Sequence, residues 1–385
     1  RLSGGQLVTI NSSENVEPED GYDVITTIDI NYQDVAEYAL YRQLKKSKAR
    51  SGCVVLMETE TGYIKAIANL ERKADDTIYY ESYNYAIGQS VEPGSTFKLA
   101  SVIVALEDGY AKLNDVVPTG EITYGKQIMK DAHYEGQNRM VSLKEAFAIS
   151  SNVGISSMVY RNYSKQPQKF VEGLYRLGLG RKLNIDIAGE ADPYIKNTKD
   201  KTWSSVSLPW MSVGYELSIT PLQMLTFYNA VANNGKMVKP LFIKEILKTG
   251  KVVESYEPFV IEDQICSKKT IDMVKELLIE VVENGTARNI RNDIYKIAGK
   301  TGTAQIAKNR EGYKKDKIEY RASFVGFFPA DNPKYSCIVV INNPESVYYG
   351  SAVAAPVFKE IADKVYSSRI DIHDPVQRKI IAKKN

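Results

Sequence analysis

Residues 92–101 read EPGSTFKLAS, and they mark the point where the chain leaves a predicted β-sheet and begins a predicted helix. Ser95 follows a proline and a glycine, Lys98 comes three residues later, and apolar residues continue at helical spacing. Because residues i and i+3 share one face of a helix, Lys98 can reach the Ser95 hydroxyl. A serine becomes a good nucleophile when a base takes its proton, and a lysine can be that base if burial and a nearby cation lower its pKa. The same spacing is common at solvated helix starts, so the stretch alone leaves both interpretations open.

The composition is that of a globular protein with a packed core. The chain has 385 residues, 43% of them hydrophobic and 25% charged, with a formal net charge of +3. No basic stripe interleaved with aromatic residues occurs, which argues against a nucleic-acid partner. The histidines are His133 and His373, and the cysteines are Cys53, Cys266 and Cys337, without CxxC or HExxH spacing. We therefore expect no metal site and no cofactor, and we expect Cys53 and Cys337, which lie in apolar strand-like segments, to be small buried apolar residues.

The order of predicted elements indicates the fold. An early hairpin is predicted from about residue 53 to 57 and from 63 to 68, around a Thr61-Gly62 turn. Three further strands are predicted near the end, in segments 294–307, 320–330 and 334–344, and their short connections favour antiparallel pairing. A long, mostly helical block separates the two groups. The predicted class is α/β (α+β), with one sheet of about five antiparallel strands flanked by helices and a large helical insert.

Amphipathic helices are predicted at both ends of this arrangement. Asp29 can cap the first one. Each carries an apolar stripe, formed by Val35, Ala39, Leu40 and Leu44 in the first helix and by Val357, Phe358, Ile361, Ala362 and Val365 in the last. We expect both on one face of the sheet and the insert on the other, with Ser95 at the boundary, where pockets tend to form.

A second candidate site segment is AISSNVG, residues 148–154. Ser150 and Asn152 stand two residues apart and can point from a loop into one cleft. The hydroxyl could relay a proton, and the amide could hold a substrate backbone. A helix cap or an Asn turn is the alternative interpretation, and it is the more common one for such a segment alone.

A third candidate segment is AGKTGTAQ, residues 298–305, on a predicted edge strand. Gly302 lets another backbone approach closely. Lys300, Thr301 and Thr303 offer a cation and two hydroxyls, which suit a ligand carboxylate. A plain β-strand is also compatible with these residues, since threonine favours strands, and the GxxxxGK[ST] pattern of a phosphate loop is absent.

The three segments together resemble a known set, because S-x-x-K, S-x-N and K-T-G in this order are found in penicillin-binding proteins and serine β-lactamases. From about residue 21 to 366 the chain resembles the transpeptidase domain of class B penicillin-binding proteins. Segments EPGST and FVGFFPADNP look more like the division type than the elongation type. The other resembling segments, in family order, are GYDVITTIDINYQDVAE, GCVVLMETETGYIKAIANL, SSNVG, GYELSITPLQMLTFYNAVANNG, NGTARN, GKTGTAQ and YGSAVAAPVFKEIAD.

The resemblance implies roles for the candidate residues. Ser95 would be the acylated nucleophile, Lys98 its general base, and Ser150 a proton relay together with Lys300. Asn152 would bind the stem-peptide backbone. The KTG strand would hold the terminal carboxylate of D-Ala-D-Ala, and N–H groups of the nucleophile and of this strand would form the oxyanion hole; the substrate-binding residues are then Asn152, Thr301, Gly302 and Thr303.

The resemblance also implies an activity and a setting. The expected reaction is serine acyl transfer that cross-links peptidoglycan stem peptides, with β-lactams acylating the same serine. Septal cell-wall synthesis, a separate glycosyltransferase partner and other divisome proteins would follow. The chain begins at Arg1 and shows no signal peptide or 18-residue apolar stretch. We therefore expect an extracytoplasmic domain whose membrane anchor is absent here, with residues 1–21 a remnant of a preceding region, 22–368 the transpeptidase domain and 369–385 a tail.

Two other functions stay open at this point. A serine β-lactamase or β-lactam sensor shares the STFK segment, but Asn152, the 150-residue spacing from Ser150 to Lys300 and the lack of an ExxLN segment argue against it. An inactive divisome scaffold is the alternative outside enzymology, and the three intact motifs argue against that. Segment 68–86 lacks the proline-rich stretch often found before the nucleophile in the family, which leaves the local loop uncertain and the motifs intact.

Overall fold

The structure, a computed structural model, describes residues 2–3, 6–7, 20–73, 77–132, 136–306, 318–345 and 347–368. The helices are α1 (Ile30–Ser47), α2 (Tyr85–Gly88), α3 (Lys98–Glu107), α4 (Leu143–Ala148), α5 (Asn152–Tyr163), α6 (Pro167–Arg176), α7 (Ser207–Met211), α8 (Pro221–Ala232), α9 (Lys268–Glu283), α10 (Gly350–Val353) and α11 (Ala355–Ser368), with 3₁₀ turns at Gly94–Phe97 and Arg288–Ile290. Both histidines, the expected tail 369–385 and most of the expected segment 1–21 lie outside the described residues.

The strands are mostly short and are numbered along the chain. They are β1 (Leu2–Ser3), β2 (Gln6–Leu7), β3 (Asp23–Thr26), β4 (Ser51–Glu58), β5 (Ile64–Glu71), β6 (Val116–Thr119), β7 (Glu121–Tyr124), β8 (Gln127–Lys130), β9 (Arg139–Ser142), β10 (Tyr194–Ile195), β11 (Leu217–Ser218), β12 (Met237–Val238), β13 (Ile243–Lys248), β14 (Lys251–Ser255), β15 (Val260–Glu262), β16 (Ala298–Ile306), β17 (Glu319–Phe328) and β18 (Tyr335–Asn342).

The predicted five-stranded antiparallel sheet is confirmed. Its order is β16-β17-β18-β4-β5, so the three late strands form one side of the sheet and the two strands of the early hairpin form the other. The hairpin strands are longer than predicted, because β4 begins at Ser51 and β5 continues to Glu71. β16 is the edge strand, which places the KTG segment at a border of the sheet.

Helices cover both faces of this central sheet. A Cβ at Gly52 would lie 3.1 Å from the Leu40 side chain of α1. Gly52 pairs with Ile341, five residues beyond Ser336, and Ser336 Oγ donates to Asn229 Oδ1 of α8 at 2.8 Å. Because side chains alternate along a strand, α1 and α8 lie on opposite faces. α11 packs against α1, as the amphipathic patterns predicted.

Local signals explain where the main helices begin. The Asp29 carboxylate accepts the backbone N–H groups of Asn31 and Tyr32 and caps α1, as predicted. α8 begins with a capping box between Thr220 and Gln223, and all its residues are buried. α3 is buried from its first residue through Leu106, so its near-continuous apolar sequence reflects a core helix.

The block between the hairpin and the late strands is helical where predicted, from α3 to α9. It also contains short antiparallel pairs that the sequence did not indicate: β6 with β9, β7 with β8, β10 with β11, and β12 with β15. Each of these strands has two to four residues, too few for a period-two pattern to stand out.

The chain divides into two units. One consists of Arg1–Thr26 and Ile243–Glu257 and contains the antiparallel sheet β14-β13-β3. The other consists of Thr27–Phe242 and Pro258–Asn385 and contains the central sheet and all the motif residues. The boundaries expected from the sequence, at residues 22 and 368, stay predictions.

Three further features bear on function. All three cysteines are buried and free, which confirms the expectation for Cys53 and Cys337. Among the described residues, no group of three or more His, Cys, Asp or Glu side chains has an arrangement suited to a metal ion. Within the same residues, no helix combines the length and the apolar character that crossing a membrane requires.

Candidate active site

Ser95 lies in a tight turn that rests on another glycine segment. The 3₁₀ turn Gly94–Phe97 runs directly into α3, so Ser95 precedes the α-helix by one turn. Gly94 has a φ of +58° and its N–H donates to Gly214 O at 3.1 Å. A Cβ at Gly214 would lie 2.1 Å from Gly94 O. Two glycines therefore allow the close backbone contact that holds the nucleophile turn.

Lys98 is fully buried, with 0% of its side chain area exposed, whereas Ser95 is partly exposed. The Lys98 ammonium donates to Ser150 O at 2.6 Å, to Asn152 Oδ1 at 2.7 Å and to Ser150 Oγ at 3.3 Å. Among the described residues, none of its hydrogen bonds goes to Ser95. The i, i+3 spacing puts Lys98 on the same side as Ser95, and the transfer of a proton between them stays a prediction.

Ser150 connects the first motif to the third. Its backbone has a φ of +59°, in the left-handed region that a serine rarely adopts. Lys300, which is also 0% exposed, donates from Nζ to Ser150 Oγ at 2.7 Å and to Thr301 O at 3.1 Å. Two lysines therefore meet at one hydroxyl. Strained backbone of this kind persists only where surrounding contacts hold it, and it is common at functional sites.

Burial shifts the pKa of both lysines in the direction the sequence analysis expected. Burial lowers the pKa of Lys98 to about 7, while the negative charge of Asp131 acts in the opposite direction. The pKa of Lys300 lies well below its usual value, mainly through burial and further through the charge of Lys98. A buried amine loses its hydration when charged, so the neutral form becomes accessible near neutral pH.

Asp131 is a site residue that the sequence analysis missed. Its carboxylate accepts the Ser151 hydroxyl at 3.0 and 2.8 Å, Val153 N–H at 3.0 Å and Gly120 N–H at 2.8 Å. Ser151 in turn caps α5 by accepting Gly154 N–H at 2.8 Å. This carboxylate fixes the start of α5, where Ser150 and Asn152 are placed, and a negative charge at a helix start is favourable.

The KTG strand places its threonines in different environments. Thr301 is buried, and its Oγ1 lies 2.7 Å from Thr286 Oγ1. Thr303 is half-buried and its Oγ1 accepts Gly350 N–H at 3.2 Å. A Cβ at Gly302 would lie 2.3 Å from Ser323 Oγ, which explains the glycine between the two threonines.

A cleft of about 290 Å³ brings these motifs to one surface. One part of its wall is aromatic, and there Tyr320 and Tyr348 stack with ring centroids 3.9 Å apart. No carboxylate is among the described residues that line it. Its lining consists of Ser95, Lys130, Ala132, Ile149, Ser150, Asn152, Val213, Tyr215, Thr286, Thr301, Thr303, Gln305, Tyr320, Tyr348, Tyr349, Gly350 and Ser351.

The predicted site residues therefore come together around one cleft. Five of the eight line it, Lys98 and Lys300 are buried and hydrogen-bonded to the lining residue Ser150, and Gly302 lies between two lining threonines. Their individual roles stay predictions. Segments NGTARN and YGSAV resemble family segments but carry no predicted role, and they supply the lining residues Thr286 and Gly350. The sequence around Asp131 contains no pattern that indicates a site residue.

Comparison with known proteins supports the resemblance to penicillin-binding protein transpeptidase domains. The family model described as penicillin binding protein transpeptidase domain matches residues 52–363. The chain is 30% identical over 354 residues to the peptidoglycan D,D-transpeptidase FtsI of Buchnera aphidicola subsp. Baizongia pistaciae, covering 89% of this chain and 58% of that protein. It is also 30% identical over 386 residues to the penicillin-binding protein PbpB of Mycolicibacterium smegmatis, covering 94% of this chain and 57% of that protein.

A solved structure agrees with the fold. Penicillin-binding protein 3 of Mycobacterium tuberculosis, crystallised with aztreonam, superposes with a TM-score of 0.81 at 27% identity, over 94% of this chain and 83% of that one. The chain spans less than two thirds of the length of the two curated relatives above. The predicted fold class is confirmed, as is the resemblance to class B proteins of the division type. The chain belongs to the penicillin-binding protein transpeptidase family.

Proposed function

We propose that this chain is the catalytic domain of a peptidoglycan D,D-transpeptidase that works through a serine acyl-enzyme. The observation that carries the proposal is the meeting of Lys98 and Lys300 at Ser150 Oγ, behind a cleft in which Ser95 is accessible. A nucleophile, two buried amines of lowered pKa and a hydroxyl between them provide what acyl transfer needs: proton removal, proton relay and a route to the leaving group.

In the first half-reaction, Ser95 Oγ attacks the carbonyl carbon of the penultimate D-Ala. Its proton passes to the lone pair of neutral Lys98, and for this transfer the Lys98 amine must turn from Asn152 toward Ser95. The peptide C–N bond then breaks, and the amine of the terminal D-Ala takes up the proton that Lys98 received, relayed through the Ser150 hydroxyl, to which Lys300 donates. The N–H groups of Ser95 and Thr303 are the proposed donors to the oxyanion.

In the second half-reaction, an amine of a neighbouring stem peptide attacks the ester. The Ser95–acyl bond breaks, a new amide forms, and Ser95 regains its proton. Before the first bond breaks, Thr301 and Thr303 would hold the carboxylate of the terminal D-Ala, which departs with that residue, while Gly302 leaves room for the backbone. A β-lactam carries a comparable carboxylate and a reactive amide, and would acylate the same serine.

The cellular setting extends the proposal to a longer protein. Similarity to proteins named FtsI and PbpB supports a place in the bacterial cell envelope. We propose an extracytoplasmic location behind a membrane anchor outside this chain, a role in septal peptidoglycan synthesis, and cooperation with a separate glycosyltransferase and other divisome proteins. These finer assignments rest on the family resemblance.

Intact-protein mass spectrometry after incubation with benzylpenicillin tests the proposal. We expect the mass of one penicilloyl group, mapped by peptide sequencing to Ser95, and no adduct on a folded Ser95→Ala variant. The exposed Ser367 near the end of α11 gives a matched control, because Ser367→Ala should label like wild type. Labelling of Ser95→Ala, or an adduct elsewhere, would contradict the assignment. A long-lived adduct would separate the transpeptidase from a β-lactamase.

A further inference from the structure

Thr286 makes a contact that the roles above do not use. It follows α9 and lines the cleft, half-buried, with its Oγ1 2.7 Å from Oγ1 of the buried Thr301. The family resemblance assigned it no role. The question is what a second hydroxyl contributes to the carboxylate site.

The loop that carries Thr286 also contacts the second motif. Thr286 N–H donates to Ala148 O at 3.1 Å, and a Cβ at Gly285 would lie 2.3 Å from the same carbonyl oxygen. Ala148 is two residues before Ser150. The Gly285-Thr286 backbone therefore sits against the end of α4, while the Thr286 side chain reaches β16, so the position of this hydroxyl is determined from both sides.

The direction of the hydrogen bond follows from proton counting. A threonine hydroxyl has one proton to donate and can accept through its lone pairs. If Thr301 donates its proton to a ligand carboxylate, it cannot donate to Thr286, so Thr286 must be the donor to Thr301. A hydroxyl that accepts a hydrogen bond is also polarised and becomes a better donor.

The neighbouring threonine shows the same arrangement with a different donor. Thr303 Oγ1 accepts Gly350 N–H at 3.2 Å, which leaves its own proton available to the cleft. Each hydroxyl of the strand thus has a neighbour outside the strand that is able to donate to it. For Thr303 that neighbour is a backbone N–H group, whereas for Thr301 it is a side chain that can be replaced.

We propose that Thr286 is a positioning residue for the carboxylate site: its hydroxyl donates to Thr301 Oγ1 and so directs the Thr301 proton toward the carboxylate of the substrate or β-lactam. This inference rests on the proposed function. Thr286 acts through Thr301 and does not itself take part in bond making.

Stopped-flow acylation by a chromogenic cephalosporin and by its carboxylate methyl ester tests this role. Thr286→Val keeps the shape and removes the donor. We expect the second-order acylation rate with the acid to fall about five- to tenfold, the size of one lost hydrogen bond, and the rate with the ester to change less than twofold. Thr286→Ser should restore the rate with the acid. The exposed Thr123 on β7 provides the control, since Thr123→Val should leave both rates unchanged.

A double-mutant cycle separates positioning from a general structural effect. In a Thr301→Val background, the additional change Thr286→Val should cost less than twofold, because the hydroxyl it serves is gone. Equal losses with acid and ester, failure of Thr286→Ser to recover, or additive losses in the cycle would overturn the inference while Ser95 still labels. Absence of labelling in wild type would instead overturn the proposed function and this inference with it.

Discussion

The Nζ atoms of Lys98 and Lys300 lie 3.3 and 2.7 Å from the same atom, Ser150 Oγ, and neither side chain is exposed to solvent. A single uncharged hydroxyl cannot compensate two buried ammonium ions. The two lysines therefore titrate as a coupled pair, and each pKa depends on the charge of the other. This pairing makes a neutral amine available without histidine.

The first prediction concerns the pH dependence of acylation. Lys98 acts as a base only when neutral, and its pKa is about 7, so the acylation rate should rise with pH through an apparent pKa near that value. Stopped-flow acylation by a chromogenic cephalosporin from pH 5 to 10 measures it. Lys98→Ala should be slower by about 10²–10⁴-fold, the usual contribution of a positioned base. A wild-type limb near the ordinary lysine value would mean that neutral Lys98 is not the base.

The second prediction concerns stability. The pKa of Lys98 is lowered from an ordinary lysine value of 10.5 to about 7 in the folded protein, so the unfolded chain holds an extra proton between these pH values. Stability from this group therefore rises with pH across that window and is lowest below pH 7. We compare unfolding free energies of Lys98→Met and wild type by urea titration at pH 6.5 and 9.5. The free energy of unfolding of Lys98→Met, relative to that of wild type, should be higher at pH 6.5 than at pH 9.5. An equal difference at both pH values would refute this.

The third prediction concerns Asp131. Its negative charge raises the pKa of Lys98, so Asp131→Asn should move the rising limb of the acylation profile to lower pH. Ser151→Ala is the matched control, because it removes a hydrogen bond to the same carboxylate and keeps the charge. Both variants should lower the melting temperature. A limb that moves equally in both variants would point to a displaced loop and not to the charge.

The fourth prediction concerns the nucleophile turn. Gly214 has a φ of +90°, and its added Cβ would lie 2.1 Å from Gly94 O, so Gly214→Ala combines backbone strain with a clash. Gly109 has a φ of +73° and no atom within 4 Å of a Cβ, which isolates the strain. Gly109→Ala should cost roughly 1–2 kcal/mol of stability and leave acylation unchanged. Gly214→Ala should lower stability further and slow the acylation of Ser95. Equal effects of the two variants would contradict the idea that Gly214 holds the nucleophile turn in place.

The sequence predicted those parts of the site that depend on local spacing or on strand alternation. The hairpin, the late strands and the three motifs fall in this group, and so does the edge position of β16. The reach of Lys98 to the Ser95 hydroxyl, expected from the i, i+3 spacing, stays a prediction. The spacing of residues along a helix shows only which side chains can reach each other, however. The Lys98 ammonium is hydrogen-bonded to Ser150 and Asn152 of the second motif, and the position of that motif depends on how α5 packs.

Other features could not be read from the sequence because they depend on long-range contacts. Asp131 is one acidic residue after a four-residue strand, and its partner Ser151 lies 20 positions away. Thr286 meets Thr301 only because α9 packs against β16. The small strands of the insert are stabilised by the helices around them and have no distinctive pattern of their own.

The convergence on Ser150 has a consequence for how the protein folds. Its hydroxyl is bound by lysines 52 and 150 positions away along the chain, so the site closes a short loop and a very long one. Contacts of such high sequence separation form slowly, since the entropy of closing the loop is lost before the contact is gained. The capacity to be acylated thus reports that β16 has packed against the helical insert, and labelling by penicillin measures this long-range assembly more directly than helix or strand content does.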